Sequence, residues 1–192
     1  LARRHGLATH LDGARLFNAA VAQAKCGPVA ESVRRITDHF DSVSVCFSKG
    51  LGAPVGSALC GSRELIAKAL RWRKVLGGGL RQSGVLAAAA VYALDHHVDR
   101  LADDHALAQR LAQGLQGVPG LSVRSAQTNI VFVDVADGRG PALLEAMKAQ
   151  GVLATGLIGL RFVTHLHVDP AGIDQAVECI RRFMASHAPN SV

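Results

Sequence analysis

The chain is poor in aromatic rings and has no long apolar run. Only 4% of its 192 residues are aromatic, with a single Trp and a single Tyr. Nucleic-acid binding of the sequence-tolerant kind needs rings on which bases stack. The formal charge of +6 suits an anionic partner, but the basic residues are scattered. Their one local cluster, Arg71-Trp72-Arg73-Lys74, precedes a glycine turn, where cations at a helix end or a subunit interface explain it more simply. No nucleic-acid partner is expected. No apolar stretch approaches the ~20 residues that span a bilayer, so no membrane partner is expected either. The four cysteines, Cys26, Cys46, Cys60 and Cys179, show no Cys-x-x-Cys spacing. With no secretory segment, reduced thiols and a cytoplasmic location are the default. Cys46 and Cys60 fall in apolar strand patterns, where a free thiol acts as a small hydrophobe. Of the nine histidines, His96 and His97 are adjacent, and His165-x-His167 has no cysteine or carboxylate pattern to complete a zinc site. No metal is expected. Neither a Gly-x-Gly-x-x-Gly nor a Gly-x-x-x-x-Gly-Lys-Ser/Thr loop occurs.

What is present is a globular composition, 49% hydrophobic and 19% charged, in a chain long enough to bury roughly 70% of its unfolded surface. The layout reads as α/β. Residues 1–62 give a strand end that includes Gly6-Leu7-Ala8, a helix over 15–25, a helix near 28–39, and two apolar strands around a glycine-rich turn. Helices follow from Arg63 to about Trp72, from about Gln82 to His97, and from Val98 to Gln116, the last closed by Gly117 and Pro119. Then comes a compact α+β unit: strands near 121–125 and 129–135, a helix at 140–150, strands near 152–154 and 160–168, and a helix over 170–187. The boundary is expected near residue 98, separating 1–97 from 98–192.

Lys49, in Ser48-Lys49-Gly50-Leu51-Gly52-Ala53-Pro54-Val55-Gly56, follows one apolar run and precedes another. A strand that stops at a lysine and then turns tightly holds that amine at a sheet edge, suited to Schiff-base chemistry with a carbonyl cofactor. Taken alone, Lys49 is equally a solvated loop lysine. In Thr9-His10-Leu11-Asp12-Gly13-Ala14-Arg15, Asp12 sits at a strand terminus, where open α/β sheets bind ligands. It also suits the N-cap of the next helix, and Arg15 suits a first-turn surface position. Lysine, carboxylate and arginine together match pyridoxal phosphate chemistry. The lysine binds the cofactor, and the acid keeps the pyridine nitrogen protonated. Opposite charges about 4 Å apart at an effective dielectric of about 20 attract by roughly 4 kcal/mol before desolvation, enough to favour the protonated ring.

The segments His10-Leu11-Asp12-Gly13-Ala14-Arg15 and Ser48-Lys49-Gly50-Leu51-Gly52-Ala53-Pro54-Val55-Gly56-Ser57 closely resemble the L-threonine aldolases of the β-eliminating lyase family, in the aspartate aminotransferase fold group. Colinear matches continue through Arg73-Lys74, Gly77-Gly78-Gly79-Leu80-Arg81-Gln82-Ser83-Gly84, Thr128-Asn129-Ile130-Val131-Phe132 and Arg161-Phe162-Val163-Thr164-His165. The resemblance covers the whole chain. It implies a partial aspartate aminotransferase-like large domain followed by a small C-terminal α+β domain.

In that resemblance Lys49 is the Schiff-base lysine, Asp12 the partner of the pyridine nitrogen, and Arg15 a neighbour of cofactor and substrate carboxylate. Arg81 contacts cofactor phosphate, in one arrangement from an adjacent subunit, and Arg161 clamps the substrate carboxylate. On residue chemistry alone, Arg81 is also a loop arginine after a glycine turn, and Arg161 a strand-edge arginine. The implied reaction is retro-aldol cleavage of L-threonine or L-allo-threonine to glycine and an aldehyde, in a cytoplasmic homotetramer using pyridoxal 5'-phosphate. The family's phosphate cradle and ring-stacking histidine precede the aspartate turn and have no counterpart here. The chain is therefore expected to be the C-terminal part of a longer enzyme, inactive in isolation. The general base is expected in the absent portion, with His165 as a local alternative. Competing expectations are another enzyme of the same fold group, a β-eliminating lyase or aminotransferase, and a non-catalytic fragment.

Overall fold

The computed structural model describes residues 1–24, 27–156 and 159–187. Contacts divide the chain into two units, Leu1–Leu101 and Ala102–Val192.

In the first unit, β1 (His10–Gly13), β2 (Ser42–Cys46) and β3 (Ser57–Gly61) form one sheet in that order. β1 runs parallel to β2, and β3 antiparallel. Parallel neighbours require a crossover, which α1 (Leu16–Gln23) and α2 (Val29–Thr37) supply. Strand side chains alternate between faces. Leu11, Val43 and Val45 turn to the face that packs with Leu16, Val33, Ile36 and Phe40. His10, Asp12, Ser42 and Ser44, paired in register, share the other face. The expectation of a buried strand through Gly6-Leu7-Ala8 is corrected: Leu7 is 62% exposed, and pairing starts at His10. The helix expected over 15–25 is shorter, and its last position lies outside the described residues.

Gly13 is set by close approach. A Cβ there would stand 2.7 Å from the Ser44 carbonyl oxygen and 3.1 Å from Val43 Cγ1. The obstacle is backbone, so Gly13→Ala forces β1 and β2 apart. The expected loss is about 1–3 kcal/mol, the scale of overpacking. Denaturant unfolding checks it, and an unchanged midpoint would contradict the tight β1–β2 approach.

Asp41 ties the start of β2 to the residue before β1. Its carboxylate accepts from the Thr9 amide at 2.6 Å and the Thr9 hydroxyl at 2.9 Å. These bonds, the amide's first, hold its pKa below the ordinary carboxylate value. A depressed pKa means the folded state binds fewer protons, so the stabilisation is present above the unfolded carboxylate pKa and is lost as pH falls through the folded one. Asp41→Asn should therefore flatten the acid limb of the stability–pH curve. A limb as steep as in the parent protein would contradict this.

After β3, Ser62 caps α3 (Arg63–Val75) by accepting the Leu65 amide at 3.2 Å. The reading of Cys60 as a small core hydrophobe fails. Among the described residues β3 pairs with β2 alone, its residues are almost wholly exposed, and Cys60 is exposed. Cys46 is half-buried. The helix α4 (Gly84–His96) buries only Ala90 and Ala93, and α5 (Leu101–Leu115) follows.

In the second unit β4 (Leu121–Gln127), β5 (Ile130–Val135) and β6 (Leu160–Val163) pair antiparallel in chain order. Val131, Val133 and Phe162 on the strands pack with Leu111 and Leu115 of α5, Leu143 and Met147 of α6 (Gly140–Ala149), and Ile173 and Ile180 of α7 (Pro170–Ser186). Asp169 starts α7 by accepting the Gly172 amide at 2.7 Å. Two expected strands are corrected here. Residues 152–154 form none, and one bridge, Thr155 to Arg161, stands nearby. The strand expected over 160–168 stops at Val163, because the Thr164 hydroxyl donates to the Asp104 carbonyl at 2.6 Å and the Val168 amide turns back to His165.

Candidate functional site

Parallel pairing brings the carboxyl ends of β1 and β2 to the same edge. Asp12 lies beside Ser44 in register, about 4.8 Å away as neighbouring strands require, and its side chain is exposed. Its Oδ1 accepts the Ala14 amide at 3.2 Å, an Asx-type turn that aims the chain into α1. Asp12 is thus not the cap of α1. Arg15 occupies that position, half-buried and with φ −129°. No ion pair to Asp12 is found among the described residues.

Three residues beyond β2, Lys49 opens a closed turn. The Gly52 amide donates to the Lys49 carbonyl at 2.9 Å, Ala53 to Phe47 at 3.0 Å, and Phe47 to Gly56 at 3.0 Å. Gly52 and Gly56 take positive φ of 73° and 116°, which side chains rarely tolerate. The base of the turn is packed. Leu51 is 3% exposed beside Ala53, Ala93 and Leu101, and a Cβ on Gly50 would meet Leu101 at 2.7 Å and Asn18 at 3.1 Å. Lys49 itself is exposed, and its amine has no hydrogen bond or ion pair among the described residues. The apolar base fixes the backbone while the amine faces outward.

Arg81 lies exposed in the turn before α4. Nearby in the same unit, Phe47, Val55, Ser57, Arg73, Ser83 and Leu86 are among the residues lining a cavity of about 340 Å³. Arg161, on β6 of the second unit, is half-buried. Its backbone exchanges hydrogen bonds with Thr155 at 2.8 and 3.2 Å, and its guanidinium has no hydrogen bond or ion pair among the described residues. His165 is exposed and accepts the His167 amide at 3.3 Å. The structure therefore gathers Asp12, Arg15 and Lys49 around the carboxyl edge of one strand pair and sets Arg81 and Arg161 on separate elements. No group of three or more His, Cys, Asp or Glu able to hold a metal is found among the described residues. Asn18 and His97, both against the lysine turn, escaped the sequence reading. Their contacts span many residues, and no local spacing signals them.

An acid without a charged partner and an exposed amine stand at the carboxyl edge of a parallel strand pair, the edge at which open α/β sheets bind ligands. Comparison then supplies the family: the β-eliminating lyase family matches residues 1–138, and the chain belongs to it. It is 45% identical over 183 residues to the low specificity L-threonine aldolase of Escherichia coli (strain K12), covering 95% of this chain and 53% of that protein. It is 40% identical over 191 residues to low-specificity L-threonine aldolase 1 of Arabidopsis thaliana, covering 96% and 52%. The chain spans about half the length of the curated relatives it matches. Serine palmitoyltransferase of Sphingomonas wittichii shares the fold, with a TM-score of 0.71 at 22% identity over 96% of this chain and 50% of that one.

Proposed function

We propose that this chain carries part of a pyridoxal phosphate-dependent carbon–carbon lyase that cleaves L-threonine and L-allo-threonine to glycine and an aldehyde. The observation that carries this reading is the juxtaposition of Asp12 and Lys49 at one sheet edge, each without an ion pair among the described residues. The names of the aldolases at 45% and 40% identity support it. The residues fit the cofactor: a carboxylate for its ring nitrogen ends β1, and an amine for its aldehyde carbon stands in the turn that follows the neighbouring β2, neither committed to another charge.

When bound, pyridoxal phosphate supplies an electron sink for the charge left on Cα as a bond to that carbon breaks. Lys49 would hold the cofactor covalently, and the closed turn beneath it limits where the amine reaches. Asp12 keeps a proton on the ring nitrogen. Arg15, at the start of α1, serves the cofactor and the substrate carboxylate. Arg81 binds phosphate, and Arg161 binds the substrate carboxylate, since a guanidinium makes paired hydrogen bonds to both anions. Holding the carboxylate would fix the orientation in which the substrate is presented to the site.

The first unit is then the cofactor-domain portion and the second the small domain. Trp72, Leu76, Val85 and Tyr92 are exposed at 63%, 81%, 81% and 57%, surface that suits a subunit interface of a tetrameric enzyme, which this reading places in the cytoplasm. No helix among the described residues is long and apolar enough to cross a membrane. Product analysis on the full-length enzyme tests the activity. Glycine and acetaldehyde in equal amounts from L-threonine are expected. Release of ammonia with a keto acid, or amino transfer to an acceptor, would replace the aldolase reading by an elimination or transamination one.

A further inference from the structure

We infer that His97 is a positioning residue for Lys49: its ring Nδ1–H holds the Leu51 carbonyl and so fixes the turn that presents the amine. This rests on the reading of Lys49 as the cofactor-binding lysine.

His97 ends α4, its amide donating to the Ala93 carbonyl at 2.9 Å. Its Nδ1 stands 2.6 Å from the Leu51 carbonyl oxygen, across 46 residues of sequence. A carbonyl only accepts, so the contact requires the proton on Nδ1, in the neutral or the charged ring alike. The Tyr92 ring meets His97 edge-on with centroids 5.5 Å apart, restricting the imidazole. Leu51 is almost fully buried, and a buried carbonyl without a donor is costly. The turn's own bonds leave it unserved: Gly52 donates to Lys49 and Ala53 to Phe47. The imidazole thus ties Leu51, two residues from Lys49, to the end of α4.

The test uses backbone hydrogen exchange of residues 47–56 in the intact protein without cofactor, and the fraction of lysine-bound cofactor by visible absorbance when cofactor is added. Asn places its Nδ2 the same number of bonds from Cβ as imidazole Nδ1, whereas Gln reaches further. His97→Leu and His97→Gln should speed exchange in 47–56 by about five- to tenfold, the scale of one hydrogen bond, and lower cofactor occupancy. His97→Asn should stay near the parent protein in both. The inference is overturned if His97→Leu leaves 47–56 unchanged, if exchange rises equally across α1 and β1, or if Asn and Gln behave alike. The Asn–Gln comparison decides the matter even where the Leu variant fails to fold. Lys49→Ala separates the two levels. If it keeps the lysine-bound absorbance, the reading of Lys49 fails whatever His97 does. If it loses that absorbance while the His97 variants match the parent, only the positioning role fails.

Discussion

Lys49→Ala in the full-length enzyme is expected to abolish the visible absorbance of lysine-bound cofactor and to lower threonine cleavage by at least roughly 10²–10⁴-fold, the contribution of a positioned acid–base group. Loss of the covalent step adds to that range. The fold should survive, because the side chain is exposed and bonds to nothing else among the described residues. What packs is the turn beneath it: Leu51 and Ala53 against Ala93 and Leu101. An unchanged unfolding midpoint with lost absorbance therefore separates chemistry from stability. A variant that retains the absorbance would assign cofactor binding to another lysine.

Arg161→Ala carries the second large effect. Its guanidinium is half-buried and without a hydrogen bond or ion pair among the described residues, while other arginines of the same unit are committed. Arg110 holds Asp174 through two bonds of 2.8 and 2.6 Å, and Arg124 pairs with Asp134 at 3.6 Å. An arginine left unmatched in such company is available to a bound carboxylate. Removing a charge-assisted hydrogen bond costs about 1.5–3 kcal/mol, so KM for threonine should rise about ten- to hundredfold with cofactor content unchanged. Steady-state kinetics with absorbance-based cofactor titration measures both. Unchanged substrate dependence would remove Arg161 from substrate binding.

Much of the layout was legible in sequence because the signals are local. Gly117 ends α5 at positive φ, and the apolar alternation of Ser42–Cys46 makes β2. Asp12 does end a strand as read, although the stretch Gly6-Leu7-Ala8 that suggested it is exposed and the pairing spans only His10–Gly13. The failures share a cause: they depend on what lies opposite in space. The apolar pattern Ser57–Gly61 makes a strand, but it lies at the sheet edge and leaves Cys60 exposed. Residues 164–168 carry strand-like residues, yet Thr164 spends its hydroxyl on Asp104, distant in the chain. His97 looked like one of two adjacent histidines with no metal to bind, and its partner, Leu51, is an unremarkable leucine whose contact is through its backbone.

The placement of one acid and one amine around a single cofactor is tested most directly by trapping. The cofactor-loaded protein is reduced with borohydride, digested, and the pyridoxyl-bearing peptide sequenced by mass spectrometry. The label is expected on Lys49 alone, and in Asp12→Asn it should remain on Lys49 while cleavage of threonine collapses. Label on any other lysine, Lys25, Lys68, Lys74 or Lys148, or full turnover in Asp12→Asn, would contradict the account.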